Sequence, residues 1–133
     1  MKMKIVYPAI FTYDKEANCY LVDFIDFNCS TFGETIQEAF FMAEEAMGLY
    51  FENEKEYPEV TEDYKDIKLR DNQFISLVGV DMVEYYKRNS NKSVKKTLTI
   101  PEWLNVLAEN ENINFSQLLQ EALKDKLLID KQF

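Results

Sequence analysis

The sequence predicts an α+β chain in two parts: an N-terminal hairpin sheet carrying one main helix, then a short strand followed by two helices. Three observations point there. Two runs rich in β-branched and aromatic residues, 4–13 and 19–27, flank a polar turn. A capping signature at residues 35–38 opens a stretch whose apolar residues recur at helical spacing. Residues 94–128 pass from a period of two to two short helical repeats separated by a break.

In the first strand, KIVYPAIFTY, the odd positions Ile5, Tyr7, Ala9, Phe11 and Tyr13 form one face. Pro8 lacks an N–H and suits an edge strand or a bulge better than a central strand. Residues 14–18 read as a hairpin turn, CYLVDFIDF (19–27) as the returning strand, and 28–32 as a short third strand. Thr35-Ile36-Gln37-Glu38 is a capping box, from which an amphipathic helix should run to about Phe51. Its sheet-facing residues would be Ile36, Ala39, Phe40, Ala43, Ala46, Met47 and Tyr50, with Glu38, Glu44 and Glu45 towards water. The acid-rich stretch 52–72, with Pro58, reads as a long mobile loop. FISLVGV (74–80) reads as a strand, Asp81 as the cap of a short helix through Tyr86, and 87–93 as a polar linker. The division expected is 1–88 and 89–133.

In the second part, Leu98 and Ile100 alternate with Lys95, Thr97 and Thr99, and Pro101 stands where a helix begins. The first helix is expected over 101–109, burying Leu104, Leu107 and Ala108; Asn110-Glu111-Asn112 breaks it. Asn114-Phe115-Ser116-Gln117 repeats the capping signature and opens a helix to about Leu128, with Leu118, Leu119, Ala122, Leu123 and Leu127 apolar. One strand and two short helices cannot bury their apolar surface alone. The economical solution is a symmetric dimer with paired antiparallel strands over four helices. The two-stranded ribbon so formed fits the DNA major groove, and its outward side chains would be Lys95, Thr97 and Thr99. Lysine can donate to guanine and threonine can meet a thymine methyl group. Lys96 would flank the ribbon and reach phosphate, as would the N–H groups of Phe115 and Ser116 and the Ser116 hydroxyl. The plainer reading is the solvent face of an edge strand; Pro101 and the second cap favour the interface. Trp103 reads as a packing residue rather than one that stacks on DNA.

Charge divides the chain in the same place. The formal charge is −9; residues 1–88 hold 9 Lys/Arg against 18 Asp/Glu, and residues 89–133 hold 6 of each. An acidic body repels nucleic acid and attracts basic proteins, whereas the strip 90–101, with Lys92, Lys95 and Lys96 and no acid, can meet phosphate. Ten Phe and eight Tyr within 133 residues suffice for a core. No apolar run could span a bilayer and no secretory signal is evident, so the location expected is cytoplasmic, away from membranes. Cys19 and Cys29 should then be reduced thiols, buried as small apolar groups. With no histidine the chain lacks the commonest general base and metal ligand, and neither cofactor nor metal is expected. Asp14, Asp23, Asp26 and Glu45 invite comparison with a two-metal nuclease. On a strand through 27, however, Asp23 and Asp26 have opposite parity, so solvated acids and no enzymatic activity are the favoured reading.

The stretch KKTLTIPEWLNVLAENENINFSQLLQEALKDKL resembles ribbon-helix-helix repressors in its order of elements and its T-L-T-I-P step. The N-terminal part resembles the HicB antitoxin domain at Tyr7-Pro8-Ala9, Phe24-Ile25-Asp26-Phe27 and Gly33-Glu34-Thr35 through Ala39, with Asn28-Cys29 where that family often has Gly-Cys. The resemblance implies a partial RNase H-like fold without catalysis. It implies a HicA-type toxin as partner, a small basic RNA-cleaving protein, and autoregulation through operator double-stranded DNA by a homodimer, or a tetramer made of two dimers. An alternative reading is a stand-alone ribbon-helix-helix repressor whose acidic domain senses a small molecule.

Overall fold

The computed structural model describes residues 4–90 and 92–129, which fall into two compact units dividing at Lys92. The N-terminal unit is a four-stranded antiparallel sheet of order β3-β2-β1-β4, formed by β1 (Lys4–Asp14), β2 (Cys19–Phe24), β3 (Ser30–Gly33) and β4 (Gln73–Asp81). Helices α1 (Ile36–Phe51) and α2 (Met82–Asn89) share its core with one face of the sheet.

The hairpin closes as its turn chemistry requires. The Asp14 carboxylate accepts from the N–H groups of Glu16 and Ala17, and Asn18 takes a left-handed φ of 53°. Register then sets the faces. Tyr7 stands opposite Val78, Phe11 opposite Val22 and Phe74, and Ala9 opposite Phe24. The odd residues of β1 therefore join the even residues of β2 and β4 on the helix side, as period-two reasoning expects. Aromatic rings fill the space between: Phe11 stacks on Phe40 and Phe74, and Phe27 packs among Tyr7, Phe24, Tyr50 and Phe51.

Several sequence expectations need correction here. Pro8 lies in β1, a central strand, not an edge. The β1–β2 ladder begins only at Ala9, and the Pro8 carbonyl, on that side of the strand, accepts from Ile25 N–H at 3.2 Å. The missing N–H thus faces Ile25, just past the end of β2, and that pair keeps only the Ile25-to-Pro8 bond. β2 stops at Phe24, so Asp26 is outside the strand and the parity argument does not apply to it. β3 starts two residues later than expected, at Ser30. Residues 52–72 have no regular structure, yet they are tied down rather than loose. Tyr7 Oη donates to the Pro58 carbonyl at 2.6 Å, Thr61 gives both its N–H and its hydroxyl to the Asp26 carboxylate, and Tyr57 packs on Phe51. Asp26 is therefore a loop anchor, not a solvated acid.

α1 begins as expected, with the Thr35 hydroxyl accepting from Glu38 N–H at 3.1 Å. Its buried residues are Ala39, Ala43, Met47, Gly48 and Phe51; Tyr50 is exposed, and Ile36, Phe40 and Ala46 are half-buried. Gly48 is inside because the Tyr85 ring of α2 lies on it: a Cβ there would come within 2.4 Å of the ring. α2 is capped by Asp81, which accepts from Val83 and Glu84 N–H, and it runs to Asn89, three residues past the expected end. Lys87 and Arg88 sit in its last turn, where cations suit the helix dipole.

In the C-terminal unit, α3 (Glu102–Asn110) starts after Pro101, which occupies the cap position rather than the first helical one. Asn112 turns the chain with a φ of 55°, and Ile113 N–H closes back on the Ala108 carbonyl. α4 (Phe115–Leu127) is capped by the Asn114 side chain, which accepts from Gln117 N–H at 3.1 Å, and it ends at left-handed Leu128.

Candidate functional site

The candidate DNA-contacting residues all lie in the C-terminal unit. Lys95, Lys96, Thr97 and Thr99 are exposed and stand in a segment, 92–100, that pairs with no strand of its own chain among the described residues. The expected strand over 94–100 is thus absent from the single chain. A lone extended segment has no ladder partner to satisfy its backbone groups. Phe115 and Ser116 open α4 directly after its cap. Asn114 takes the Gln117 N–H, and Leu118 N–H bonds the Asn114 carbonyl. The first-turn donors still open, among the described residues, are then Phe115 and Ser116. The Ser116 hydroxyl accepts from the Gln120 side-chain amide at 3.2 Å.

The apolar partners of these polar residues are exposed as well. None of the described residues 92–129 is buried; Leu98 is 61% exposed, Ile100 47% and Trp103 65%. Leu104 and Leu107, expected inside, are exposed, and Ala108 is half-buried. The same exposure holds for Leu118, Leu119, Ala122, Leu123 and Leu127 of α4. Nor is Trp103 packed within the chain; with Glu102, Val106 and Leu107 it lines a shallow open groove. Each helix has a coherent apolar stripe with nothing of the same unit to cover it. A monomeric fold rarely leaves so much contiguous apolar surface in water.

In the N-terminal unit, no three Cys, Asp or Glu side chains among the described residues could jointly hold a metal ion. Asp14 and Asp26 make the turn and loop bonds given above, Asp23 accepts from the Ser30 hydroxyl at 2.6 Å, and Glu45 pairs with Arg88 of α2. Cys19 is buried and Cys29 half-buried, both as free thiols, and burial pushes the Cys29 thiol up from its ordinary value. Sequence reasoning missed two positions in this unit, Thr61 and Tyr85. Each meets its partner across a long stretch of chain, and no local motif marks such a contact. No helix among the described residues is long and apolar enough to cross a membrane.

No protein-family model and no curated protein matches the chain. Among solved structures, it is similar to a chain of a toxin-antitoxin complex from Streptococcus pneumoniae. The two are 36% identical, with a TM-score of 0.55, over 93% of this chain and 99% of that one.

Proposed function

The chain belongs to the toxin–antitoxin proteins, and from that premise we propose that it is the antitoxin of a HicA–HicB-type pair. In this reading the N-terminal unit is a partial RNase H-like HicB domain without catalytic activity. It binds and neutralises a small, basic, RNA-cleaving toxin. The C-terminal unit is a ribbon-helix-helix module that dimerises and represses its own operon.

The observation that carries the reading is that none of the described residues of the C-terminal unit is buried. Two copies cover it economically. Residues 94–100 of each pair as antiparallel strands, Leu98 and Ile100 turn inward onto the leucines of α3 and α4, and Lys95, Thr97 and Thr99 are left facing out. A two-stranded ribbon enters the major groove of a duplex, where lysine and threonine can touch base edges. Lys96 and the start of α4 at Phe115 and Ser116 hold phosphates on either side and set the register. The acidic N-terminal unit stays off the DNA by repulsion and attracts a cationic toxin.

Gel-shift titration against the promoter of its own operon tests the DNA half. The chain binds that duplex, and Lys95→Ala weakens binding by about 1–3 kcal/mol if the side chain makes a good base contact. Unchanged affinity in that variant removes Lys95 from the interface. Co-expression with the product of the adjacent reading frame tests the other half: a small basic protein should copurify and its toxicity should be relieved. A chain that binds its promoter but neutralises no such protein fits instead the stand-alone repressor with a ligand-sensing domain.

A further inference from the structure

The outward side of α1 has apolar residues that the fold does not use. Ala39, Ala43 and Met47 bury one side of the helix. On the opposite side, Glu38, Phe41, Met42, Glu45 and Leu49 follow one another at i, i+3, i+4, i+7 and i+11, forming a single ridge. Phe41 is 57% exposed and Leu49 66%, with Met42 also exposed. Beside the ridge runs an open groove of about 550 Å³ lined by Ile36, Gln37, Phe40, Phe41 and Glu44. The platform is firmly seated. Phe40 stacks on Phe11 with centroids 4.4 Å apart, and Tyr85 lies against Gly48.

Charge narrows what can cover this ridge. Residues 16–54, which include all of α1, hold nine Asp/Glu and no Lys or Arg. Arg88 of α2 reaches across to pair with Glu45, leaving Glu34, Glu38 and Glu44 exposed around the apolar residues. A second copy seated face to face would set carboxylates against carboxylates, and a nucleic acid would be repelled outright. A cationic protein with an apolar centre would gain on both counts.

We infer that the outward ridge of α1, centred on Phe41 and Leu49 and rimmed by Glu34, Glu38 and Glu44, is the docking surface for the basic toxin. The inference rests on the antitoxin reading and adds to it the place of contact. The outer face of the sheet is the rival apolar surface. Val6, Leu21, Phe32 and Leu77 are exposed there, but Lys4 offsets Asp81 opposite it, so that face has a smaller excess of acid around its apolar residues than α1 has.

The test uses the full chain and the purified product of the adjacent reading frame. Phe41→Glu and Leu49→Glu each weaken binding by about 30-fold or more, as loss of a central apolar anchor does. Leu77→Glu, an equally exposed site at 56% on the outer sheet face, leaves binding within about twofold, the scale of a surface change outside an interface. Carbodiimide labelling of the unaltered chain guards against a misfolded variant: Glu38 and Glu44 lose reactivity on complex formation. Equal labelling of both glutamates in free and bound protein overturns the inference, as does loss of binding in Leu77→Glu with the α1 variants unaffected. It is also overturned, in favour of a second copy, if Phe41→Glu abolishes self-association of the free chain and leaves toxin binding intact. Failure of the unaltered chain to bind the partner at all refutes the antitoxin reading itself and this inference with it.

Discussion

Tyr7 and Asp26 tie down a stretch of chain that no strand or helix holds. The Tyr7 hydroxyl caps the Pro58 carbonyl and Asp26 grips Thr61, so the acidic segment follows the edge of the core. Burial, then the nearby Asp26 carboxylate, then Tyr57, hold the Tyr7 phenol above its ordinary 10.0, and burial raises Tyr85 and Tyr86 too. The neutral phenol is the form the fold prefers. Its contribution is therefore complete below pH 10.0 and is lost as pH rises through the folded value, because the unfolded chain releases that proton first. Urea titrations at stepped pH above 10 should show stability falling with pH. In Tyr7→Phe the fall becomes shallower but does not vanish, since Tyr85 and Tyr86 remain. A slope identical to that of the parent chain contradicts the assignment to Tyr7.

Between elements, α2 meets α1 where the Tyr85 ring lies on Gly48. Ordinarily an alanine in place of a helical glycine gains up to about 1 kcal/mol. At Gly48 the Tyr85 ring occupies the space, so Gly48→Ala should instead destabilise by about 1–3 kcal/mol, as overpacking does. The same substitution made in a Tyr85→Ala background should cost nothing or stabilise, which a double-mutant cycle of urea midpoints reads directly. Such pairs mark the limit of what a sequence discloses. The caps at Thr35, Asp81 and Asn114 were legible because each bonds an N–H two or three residues ahead. The faces of β1 were legible because period two is local. Gly48 with Tyr85 and Asp26 with Thr61 were not, since each depends on where a distant segment passes. Pro8 misled for the same reason: whether its missing N–H matters depends on how far β2 extends beside it.

Across the whole molecule, two units of opposite design share one chain. The first buries Tyr7, Phe11, Phe24, Phe27, Phe51 and Tyr85 in a core of its own and presents acid to the solvent. In the second, two helices form, α4 with a side-chain cap at Asn114, but none of the described residues is buried. Its alternation of Leu98 and Ile100 with Lys95, Thr97 and Thr99 was readable in the sequence. In the proposed dimer the second strand of the ladder that would make use of the alternation comes from another copy, so the ladder cannot appear within one chain. This is the claim on which the DNA-binding reading depends. Sedimentation equilibrium of the full chain tests it most directly. The account predicts a stable species of twice the 15.7 kDa chain mass throughout the micromolar range; a species that remains at 15.7 kDa contradicts it.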